Sequence, residues 1–307
     1  MKVRDLIILG GGPAGLTASI YAGRALLDTL LISEGITSSQ LFLSTGVEDY
    51  PGFPEIITGY ELLKRMKEQA EKFNIEILEK KVIKVNFQKK PYLIVCEDQN
   101  EYYAKSVIIS TGAVSKKLGL ENEDKFIGRG ISVCAICDGF FYKDKIVAIV
   151  GGGDSATKEA IYLAKYVQKA YLIFRSENLK SAKILQEKIK KEKKIKLIPN
   201  TEIIQLLGND KLEKILIKNN KTNEEKILKI EGLFLAIGSK PNTDLFKDQL
   251  ELLPSGHIKV YDLVKTSKEG IFAAGEVMDN KYRQAITSAG FGAIAAIEAE
   301  KWLKNYQ

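Results

Sequence analysis

RDLIILGGGPAG, residues 4–15, is a short β-rich run that leads straight into a glycine-rich turn. A helical pattern follows this turn, then a second strand-like run, Thr29–Ile32, and then Glu34. Strand, G-x-G-x-x-G, helix, strand and acid stand here in the order that a dinucleotide-binding βαβ unit requires. The start of the chain therefore predicts an α/β fold built around a site for a dinucleotide.

The glycines of this turn have separate physical uses. Gly10 permits the tight turn, Gly12 lets the backbone approach a pyrophosphate, and Gly15 lets the helix pack closely on the strand. The first turn of the helix offers unpaired N–H groups and the positive end of its dipole to the phosphates. Glu34 stands where a carboxylate can accept a hydrogen bond from a ribose hydroxyl. The candidate cofactor-binding residues are thus Gly10, Gly12, Pro13, Ala14, Gly15 and Glu34.

The same pattern occurs a second time in the middle of the chain. Lys145–Val150 is strand-like, Gly151–Ala156 is the glycine loop GGGDSA, and Lys169–Phe174 is the second strand-like run. Arg175 follows, and a cation at this place suits a 2′-phosphate, which favours NADP over NAD. One such loop is weak evidence, but two with different residues at the ribose end indicate two dinucleotide sites. The candidates here are Gly151, Gly153, Asp154, Ser155, Ala156 and Arg175.

Two later segments resemble returns to the first unit. Thr111-Gly112 follows the strand-like Ser106–Ser110, and Gly238 follows the strand-like Leu233–Ile237. Ile271–Ala274 then precedes Gly275-Glu276, a glycine that allows close backbone approach beside an acid. The sequence therefore predicts two Rossmann-like dinucleotide-binding domains, the second inserted into the first. The first domain would comprise residues 1–113 and 242–307, and the second residues 114–241.

The chemical centre is indicated by a C-x-x-C pair just before the second unit. Cys134 and Cys137 can close a small disulfide ring, and the thiolate is the reactive form. Zinc binding needs further ligands, and only Cys96 and His257 remain, both isolated, so thiol–disulfide exchange is favoured over metal binding. Asp138 is placed to move the proton that accompanies exchange. A turn or helix-capping role is the alternative for this aspartate.

Composition limits the class of protein. The chain has 307 residues, 45% of them hydrophobic and 28% charged, which fits a globular protein of two domains. We find no apolar stretch long enough for a membrane span and no signal peptide, so we expect a cytoplasmic protein. The net charge is +7, with a lysine-rich block at Lys183–Lys196 whose spacing predicts an amphipathic helix with a solvated basic face. Nucleic-acid binding is therefore not expected, although a basic surface could attract an acidic partner protein.

Three segments together identify a family. The run CAICDGFFY at Cys134–Tyr142, the turn at Tyr50–Phe53 and the segment Tyr282–Ala285 resemble the low-molecular-weight, bacterial-type thioredoxin reductases. The resemblance covers essentially the whole chain, because both glycine loops match as well. It implies a homodimer that reduces thioredoxin or a thioredoxin-like protein. In it an FAD-binding domain would hold the flavin, and the inserted domain would hold NADPH and the redox cysteines.

The resemblance also implies roles for individual residues. Cys137 would face the flavin, Cys134 would attack the substrate disulfide, and Asp138 would be the acid–base residue. Rotation of the domains would present the nicotinamide and the disulfide to the flavin in turn. The helix that follows Arg283 and Gln284 would point its N-terminus at the flavin. The remaining cofactor contacts would come from Gln40, Leu41, Asp49, Val82, Thr111, Gly112, Lys180, Gly238, Gly275, Glu276 and Ala285.

Several residues near the expected flavin depart from the family pattern. Ser38-Ser39 replaces two glycines before Gln40, Asp49 replaces an amide, and Glu276 replaces an aspartate. If ionised, Asp49 would make reduction of the flavin harder by like-charge repulsion. We therefore expect FAD to bind, with a potential that these changes alter.

The nicotinamide site departs further, because one of three family arginines remains as Arg175 while Ser176 and Lys180 replace the others. Lysine binds phosphate as a point charge rather than bidentately, so a weaker site for a 2′-phosphate is expected. Glu177 could repel that phosphate or accept a plain ribose. NADPH is the preferred donor, with NADH and a reduced ferredoxin as alternatives.

Two other functions remain as hypotheses. The flavoprotein partners of peroxiredoxins share this fold but carry an extra N-terminal thioredoxin-like region, which we do not expect ahead of the first strand. A flavin-binding redox sensor that does not turn over is the non-enzymatic alternative, and multiple-turnover disulfide reduction would exclude it.

Overall fold

The computed structural model describes residues 2–306. The chain divides into two compact units. The first unit runs as far as Val114 and resumes at Lys240, and the second is the continuous segment Ser115–Ser239.

Both units are built from short strands and a few longer helices. In chain order the described strands are β1 (Val3–Leu9), β2 (Thr29–Ser33), β3 (Glu76–Glu79), β4 (Val82–Asn86), β5 (Tyr92–Cys96), β6 (Glu101–Ile109), β7 (Ala113–Ser115), β8 (Ile131–Ser132), β9 (Ile146–Val150), β10 (Lys169–Ile173), β11 (Ile195–Ile198), β12 (Thr201–Leu207), β13 (Lys214–Asn219), β14 (Glu225–Lys229), β15 (Gly232–Leu235), β16 (Ser239–Pro241) and β17 (Ile271–Ala273). The α-helices are α1 (Pro13–Arg24), α2 (Gly59–Glu71), α3 (Glu123–Phe126), α4 (Ala135–Asp138), α5 (Asp154–Leu163), α6 (Lys183–Lys191) and α7 (Ala285–Lys304).

The first unit is organised around one twisted sheet in the order β3-β2-β1-β6-β5-β4. Strands β3, β2, β1 and β6 run parallel, and β17 adds parallel to the second half of β6. Strands β5 and β4 continue the sheet in antiparallel orientation from the first half of β6. Leu6–Leu9 of β1 and Leu30–Ile32 of β2 are apolar and buried, as expected for strands of a parallel sheet that is covered on both faces.

Helix α1 connects β1 to β2 and packs against α7. Its first residue is Pro13, directly after the N-cap Gly12. Proline has no backbone N–H, and the first N–H of a helix has no acceptor within the helix, so proline is tolerated there. Gly292 of α7 lies against the start of α1, where a side chain would bring its Cβ 2.1 Å from the carbonyl oxygen of Ala14. The close approach of the two helices therefore depends on a glycine at this position.

The second unit contains a five-stranded parallel sheet in the order β11-β10-β9-β15-β8, and a separate antiparallel sheet β12-β13-β14. Alternate residues of the parallel strands enter two different clusters of buried side chains. Val147 and Ile149 join one cluster, and Ala148 and Leu233 join the other. This follows from the two-residue period of a strand that is buried on both faces.

The predicted α/β class with two Rossmann-like sheets is confirmed. The lysine-rich helix was predicted over too long a range, since α6 ends at Lys191 and Ile195 already belongs to β11. Ile195 pairs with Ala170 of β10, so hydrogen bonding to the sheet prevails over the helical spacing of the apolar residues.

Candidate functional site

The register of the first sheet gathers one group of predicted residues at a single edge. Leu9 at the end of β1 pairs with Ile32 of β2 and with Ile109 of β6, and Ala273 of β17 also pairs with Ile109. The segments that follow these strands are therefore neighbours. They contain Gly10, Glu34, Thr111, Gly112, Gly275 and Glu276. Ligands of open α/β sheets bind at the carboxyl ends of the strands, which is this edge.

The first glycine loop has the space that a pyrophosphate needs. A Cβ on Gly15 would lie 1.8 Å from the carbonyl oxygen of Gly10, so this glycine allows the helix to meet the strand. A Cβ on Gly12 would instead meet only the Ser39 hydroxyl, at 3.5 Å, and it faces nearly open space. No side chain among residues 2–306 caps the N-terminus of α1. The loop and helix thus fit a bound phosphate group.

Charged residues adjoin this edge at the start of α7. The Nε of Arg283 is buried and makes no hydrogen bond within the described chain, and it lies 3.6 Å from Oε1 of Glu276. Burial raises the pKa of Glu276, and the Arg283 guanidinium opposes this shift. Asp279 holds the loop by accepting the backbone N–H groups of Lys281, Tyr282 and Arg283 at 2.9–3.0 Å. An unused buried donor here fits the polar edge of a cofactor.

The only histidine is part of the same neighbourhood. His257 is buried, and its ring nitrogen Nδ1 lies 3.0 Å from the hydroxyl of Ser255. Burial lowers its pKa, and the charge of Arg283 lowers it further. This histidine is therefore a neutral packed side chain at neutral pH.

The remaining predicted flavin residues lie in separate places of the first unit. Gln40 and Leu41 begin a 3₁₀ turn just after Ser39, and Gln284 is the N-cap before Ala285 of α7. Val82 begins β4, two residues beyond Lys80, whose N–H donates to the carbonyl oxygen of Ser33 at 2.8 Å. Asp49 is exposed in the loop that a bridge between Val47 and Ile57 closes.

Thr111 has a partner that the sequence did not indicate. Its hydroxyl donates to the carbonyl oxygen of Asn242, and Nδ2 of Asn242 donates back to the carbonyl oxygen of Thr111, both at 2.8 Å. The first and second parts of the first unit are thus held together beside Gly112.

The second glycine loop has the same construction. Val150 at the end of β9 pairs with Ile173 of β10 and Leu235 of β15, which places Gly151, Arg175 and Gly238 after neighbouring strand ends. A Cβ on Gly153 would meet nothing within 4 Å. Ser155 and Ala156 continue the first turn of α5. The loop is open to a dinucleotide as the first one is.

Asp154 has a structural partner. Its Oδ1 accepts the backbone N–H of Ala182 at 2.8 Å, at the start of α6. The N–H of Lys180 donates to the carbonyl oxygen of Gly152 at 2.7 Å. These two hydrogen bonds fasten the segment after Arg175 to the glycine loop.

The cysteine pair occupies the carboxyl end of β8 in this sheet. Cys134 and Cys137 form a disulfide with a Cα–Cα distance of 5.4 Å, as the sequence indicated. Cys134 is the N-cap of α4, and both cysteines are half-buried. Cys96 is fully buried in β5 of the first unit, where burial raises the pKa of its thiol, so it is no competing nucleophile.

Ser132 connects the two ends of the redox loop. Its hydroxyl donates to Oδ2 of Asp138 at 2.6 Å and accepts the backbone N–H of Cys134 at 3.1 Å. Ser132 itself is buried at the end of β8. Sequence reasoning missed this residue, and a serine two positions before a cysteine gives no signal by itself.

Aromatic and aliphatic residues lie within and just after the C-x-x-C segment. Ile136 and Phe140 are 59% and 58% exposed. Burial raises the pKa of Tyr142 to about 12, and the Asp138 carboxylate adds to the shift. Tyr142 therefore remains a phenol at neutral pH.

Residues 2–306 contain no cluster of three or more His, Cys, Asp or Glu side chains that could hold a metal ion. In the same part of the chain, no helix has both the length and the apolar character needed to cross a membrane.

Comparison with known proteins gives consistent matches. The family model described as pyridine nucleotide-disulphide oxidoreductase matches residues 4–292. Thioredoxin reductase of Buchnera aphidicola subsp. Schizaphis graminum is 47% identical, over 98% of each chain. That of Rickettsia conorii is 42% identical over 99% of this chain and 100% of its own. The crystal structure of thioredoxin reductase from Streptococcus pyogenes superposes with a TM-score of 0.94, at 37% identity over 99% of both chains.

Proposed function

Since the chain belongs to the pyridine nucleotide-disulphide oxidoreductase family, we propose that it is a thioredoxin-disulfide reductase in which FAD passes electrons from NADPH to Cys134 and Cys137. The observation that carries the proposal is the half-buried disulfide at a strand end of the sheet that also bears the second glycine loop. A carboxylate adjoins this disulfide, and apolar side chains are exposed around it.

Thiol–disulfide exchange by this pair proceeds in two displacements. In the reduced protein the thiolate of Cys134 attacks one sulfur of the thioredoxin disulfide, forming a mixed disulfide and releasing the other substrate sulfur as a thiolate. Cys137 then attacks the sulfur of Cys134, which restores the internal disulfide and releases the second substrate sulfur. Two electrons pass to the substrate, and Asp138 donates or accepts the protons of the thiols.

The chemistry that a bound flavin supplies is the transfer of an electron pair from the pyridine nucleotide to the Cys134–Cys137 disulfide. The loop Gly10–Gly15 and the uncapped start of α1 would bind its pyrophosphate, and Glu34 a ribose hydroxyl. Arg283, with its buried unused Nε, would bind the polar part of the ring system or its chain. The fit of these residues supports FAD as the flavin.

The donor would bind at Gly151–Ala156, with Arg175 and Lys180 near its 2′-phosphate. NADPH is the proposed donor, because a cation rather than an acid stands just after β10. NADH would replace it if the site does not hold a 2′-phosphate, and a reduced ferredoxin would replace it if the site holds neither nucleotide.

The proposed partner is thioredoxin or a thioredoxin-like protein. Ile136 and Phe140 offer an apolar surface beside the disulfide on which such a partner could dock. We also propose that the protein is a homodimer and that it is located in the cytoplasm. Both proposals are based on the resemblance to the family alone.

The deciding experiment uses the purified holoprotein and its variants Cys134→Ser and Cys137→Ser. We expect the wild type to be yellow, its flavin band to bleach with NADPH, and thioredoxin disulfide to be reduced over many turnovers. Each variant should retain flavin and lose at least about 10³-fold of the turnover, because exchange requires both sulfurs. Cys96→Ser is the matched control and should keep full activity.

Contrary results have separate meanings. A colourless protein that takes up no flavin would refute the proposal. Bleaching by reduced ferredoxin and by neither pyridine nucleotide would refute NADPH as donor while leaving the dithiol chemistry in place.

A further inference from the structure

We propose that Glu202 sets the preference of this protein between the two pyridine nucleotides, because its carboxylate pairs with Arg175 and weakens binding of a 2′-phosphate. The inference rests on the proposed function in one respect, since it requires a pyridine nucleotide at the second glycine loop.

Arg175 stands where the adenine ribose of a dinucleotide would lie. It follows β10 at the carboxyl edge of the sheet, and the neighbouring residues touch the glycine loop. A Cβ on Gly152 would lie 3.3 Å from Cβ of Phe174 and 3.7 Å from the hydroxyl of Ser176. In a dinucleotide-binding βαβ unit the residue at this strand end contacts the 2′ position of the ribose.

Backbone hydrogen bonds bring Glu202 to the same place. The N–H of Thr201 donates to the carbonyl oxygen of Phe174, and the N–H of Asn200 donates to that of Ser176, both at 3.0 Å. The start of β12 is therefore fixed alongside the end of β10. As a result Nε of Arg175 and Oε2 of Glu202 are 3.4 Å apart.

The pair acts on a 2′-phosphate in two ways. The phosphate carries about two negative charges near neutral pH and must share the guanidinium with a carboxylate that also repels it. A free 2′-hydroxyl suffers neither effect and can donate a hydrogen bond to a carboxylate. The Arg175 side chain is 74% exposed, so water and salt screen the pair and its influence is moderate.

Glu177, the acid that the sequence indicated, has another partner. Its Oε2 lies 3.1 Å from Nζ of Lys221, so a cation other than Arg175 offsets its charge. The hydroxyl of Ser176 donates to the carbonyl oxygen of Asn178 at 2.7 Å. Glu202 is thus the carboxylate that is paired with the phosphate-binding arginine.

The test measures binding of NADP⁺ and NAD⁺, which differ only in the 2′-phosphate, to the oxidised holoprotein by titration calorimetry. Glu202→Gln should raise the affinity for NADP⁺ about fivefold and change that for NAD⁺ by less than about twofold. Glu177→Gln, which removes an equal charge nearby, should leave the ratio of the two affinities unchanged. In an Arg175→Gln background, Glu202→Gln should lose most of its effect on the ratio.

Three outcomes would overturn the role of Glu202: an unchanged ratio in Glu202→Gln, a lower affinity for NADP⁺, or an equal change in Glu177→Gln. If the wild type binds neither nucleotide, both this inference and the proposed donor fail. If the wild type binds both nucleotides and Glu202→Gln leaves the ratio of the two affinities unchanged, only this inference fails. The cysteine variants decide the proposed function independently.

Discussion

The hydroxyl of Ser132 lies between the backbone of the proposed attacking cysteine and the carboxylate of the proposed acid–base residue. Because a hydroxyl has one proton, its 2.6 Å bond to Asp138 is the donated one, and the N–H of Cys134 occupies a lone pair. A hydrogen bond to a charged group is stronger than one between neutral groups. Ser132 is therefore placed to hold Asp138 in position for proton transfer without touching the substrate.

Replacing Ser132 by alanine should slow thiol–disulfide exchange about tenfold, the effect of losing one hydrogen bond to a charged group. The measurement is the stopped-flow rate at which the prereduced protein reduces thioredoxin disulfide. Ser132→Thr keeps a hydroxyl on a strand residue and should retain most of the rate.

A double-mutant cycle separates positioning from general stability. In an Asp138→Asn background the further change Ser132→Ala should have little effect on the rate, because the carboxylate that it positions is gone. Equal slowing in both backgrounds would show that Ser132 acts only through the fold.

Single residues also show what the sequence could reveal about the site. Cys134, Cys137 and the glycine loops were found because their chemistry depends on neighbours in the chain. The pairs Ser132–Asp138 and Arg175–Glu202 depend on how a loop folds back and on which strands adjoin, and no local spacing encodes that. Glu177 was considered as a neighbour of the 2′-phosphate because it is close to Arg175 in the sequence. In the structure its carboxylate pairs with Lys221, which is distant in the sequence.

At the scale of elements, α6 begins without a capping side chain of its own. Its N-cap is Ala182, which cannot accept a hydrogen bond through its side chain, and Asp154 from the glycine loop accepts the backbone N–H of Ala182 itself, another donor that the helix leaves unpaired. One carboxylate thus stabilises the start of a helix and ties that helix to the loop at which a nucleotide would bind.

Asp154→Ala should lower the free energy of unfolding by about 1 kcal/mol, the usual contribution of one intramolecular hydrogen bond. Urea unfolding followed by circular dichroism measures this change, and amide exchange should increase at the first residues of α6. Asp154→Asn keeps the accepting oxygen and should lose less than half as much. Equal losses in the two variants would mean that charge rather than hydrogen bonding stabilises the helix.

Most elements could be predicted from the sequence because their patterns are local. The strand–glycine–helix order predicted β1, α1, β9 and α5. The end of α6 could not be predicted, since the pairing of Ile195 with β10 decides it and helical spacing continues past Lys191.

At the scale of the whole molecule, the inserted unit is one continuous segment with its own core. Its parallel sheet buries clusters of side chains on both faces, with Ile149 and Phe234 in one and Ala148 in the other. The N–H of Lys116 donates to the carbonyl oxygen of Gly238 at 3.0 Å, so the two ends of the segment are adjacent. A domain whose ends meet can be inserted into another chain without loss of its own packing.

The segment Ser115–Ser239 should therefore fold when it is produced alone. We expect one cooperative urea transition, dispersed amide resonances, and formation of the Cys134–Cys137 disulfide under mild oxidation, because the packing of this unit is internal. Phe234→Ala in the same fragment is the control. Phe234 is fully buried and stacks edge-on with Tyr142 at 5.1 Å, so its loss should cost about 3 kcal/mol and shift the transition to lower urea. A fragment that unfolds gradually, or that is insensitive to this substitution, would show that the inserted unit needs the rest of the chain to pack its core.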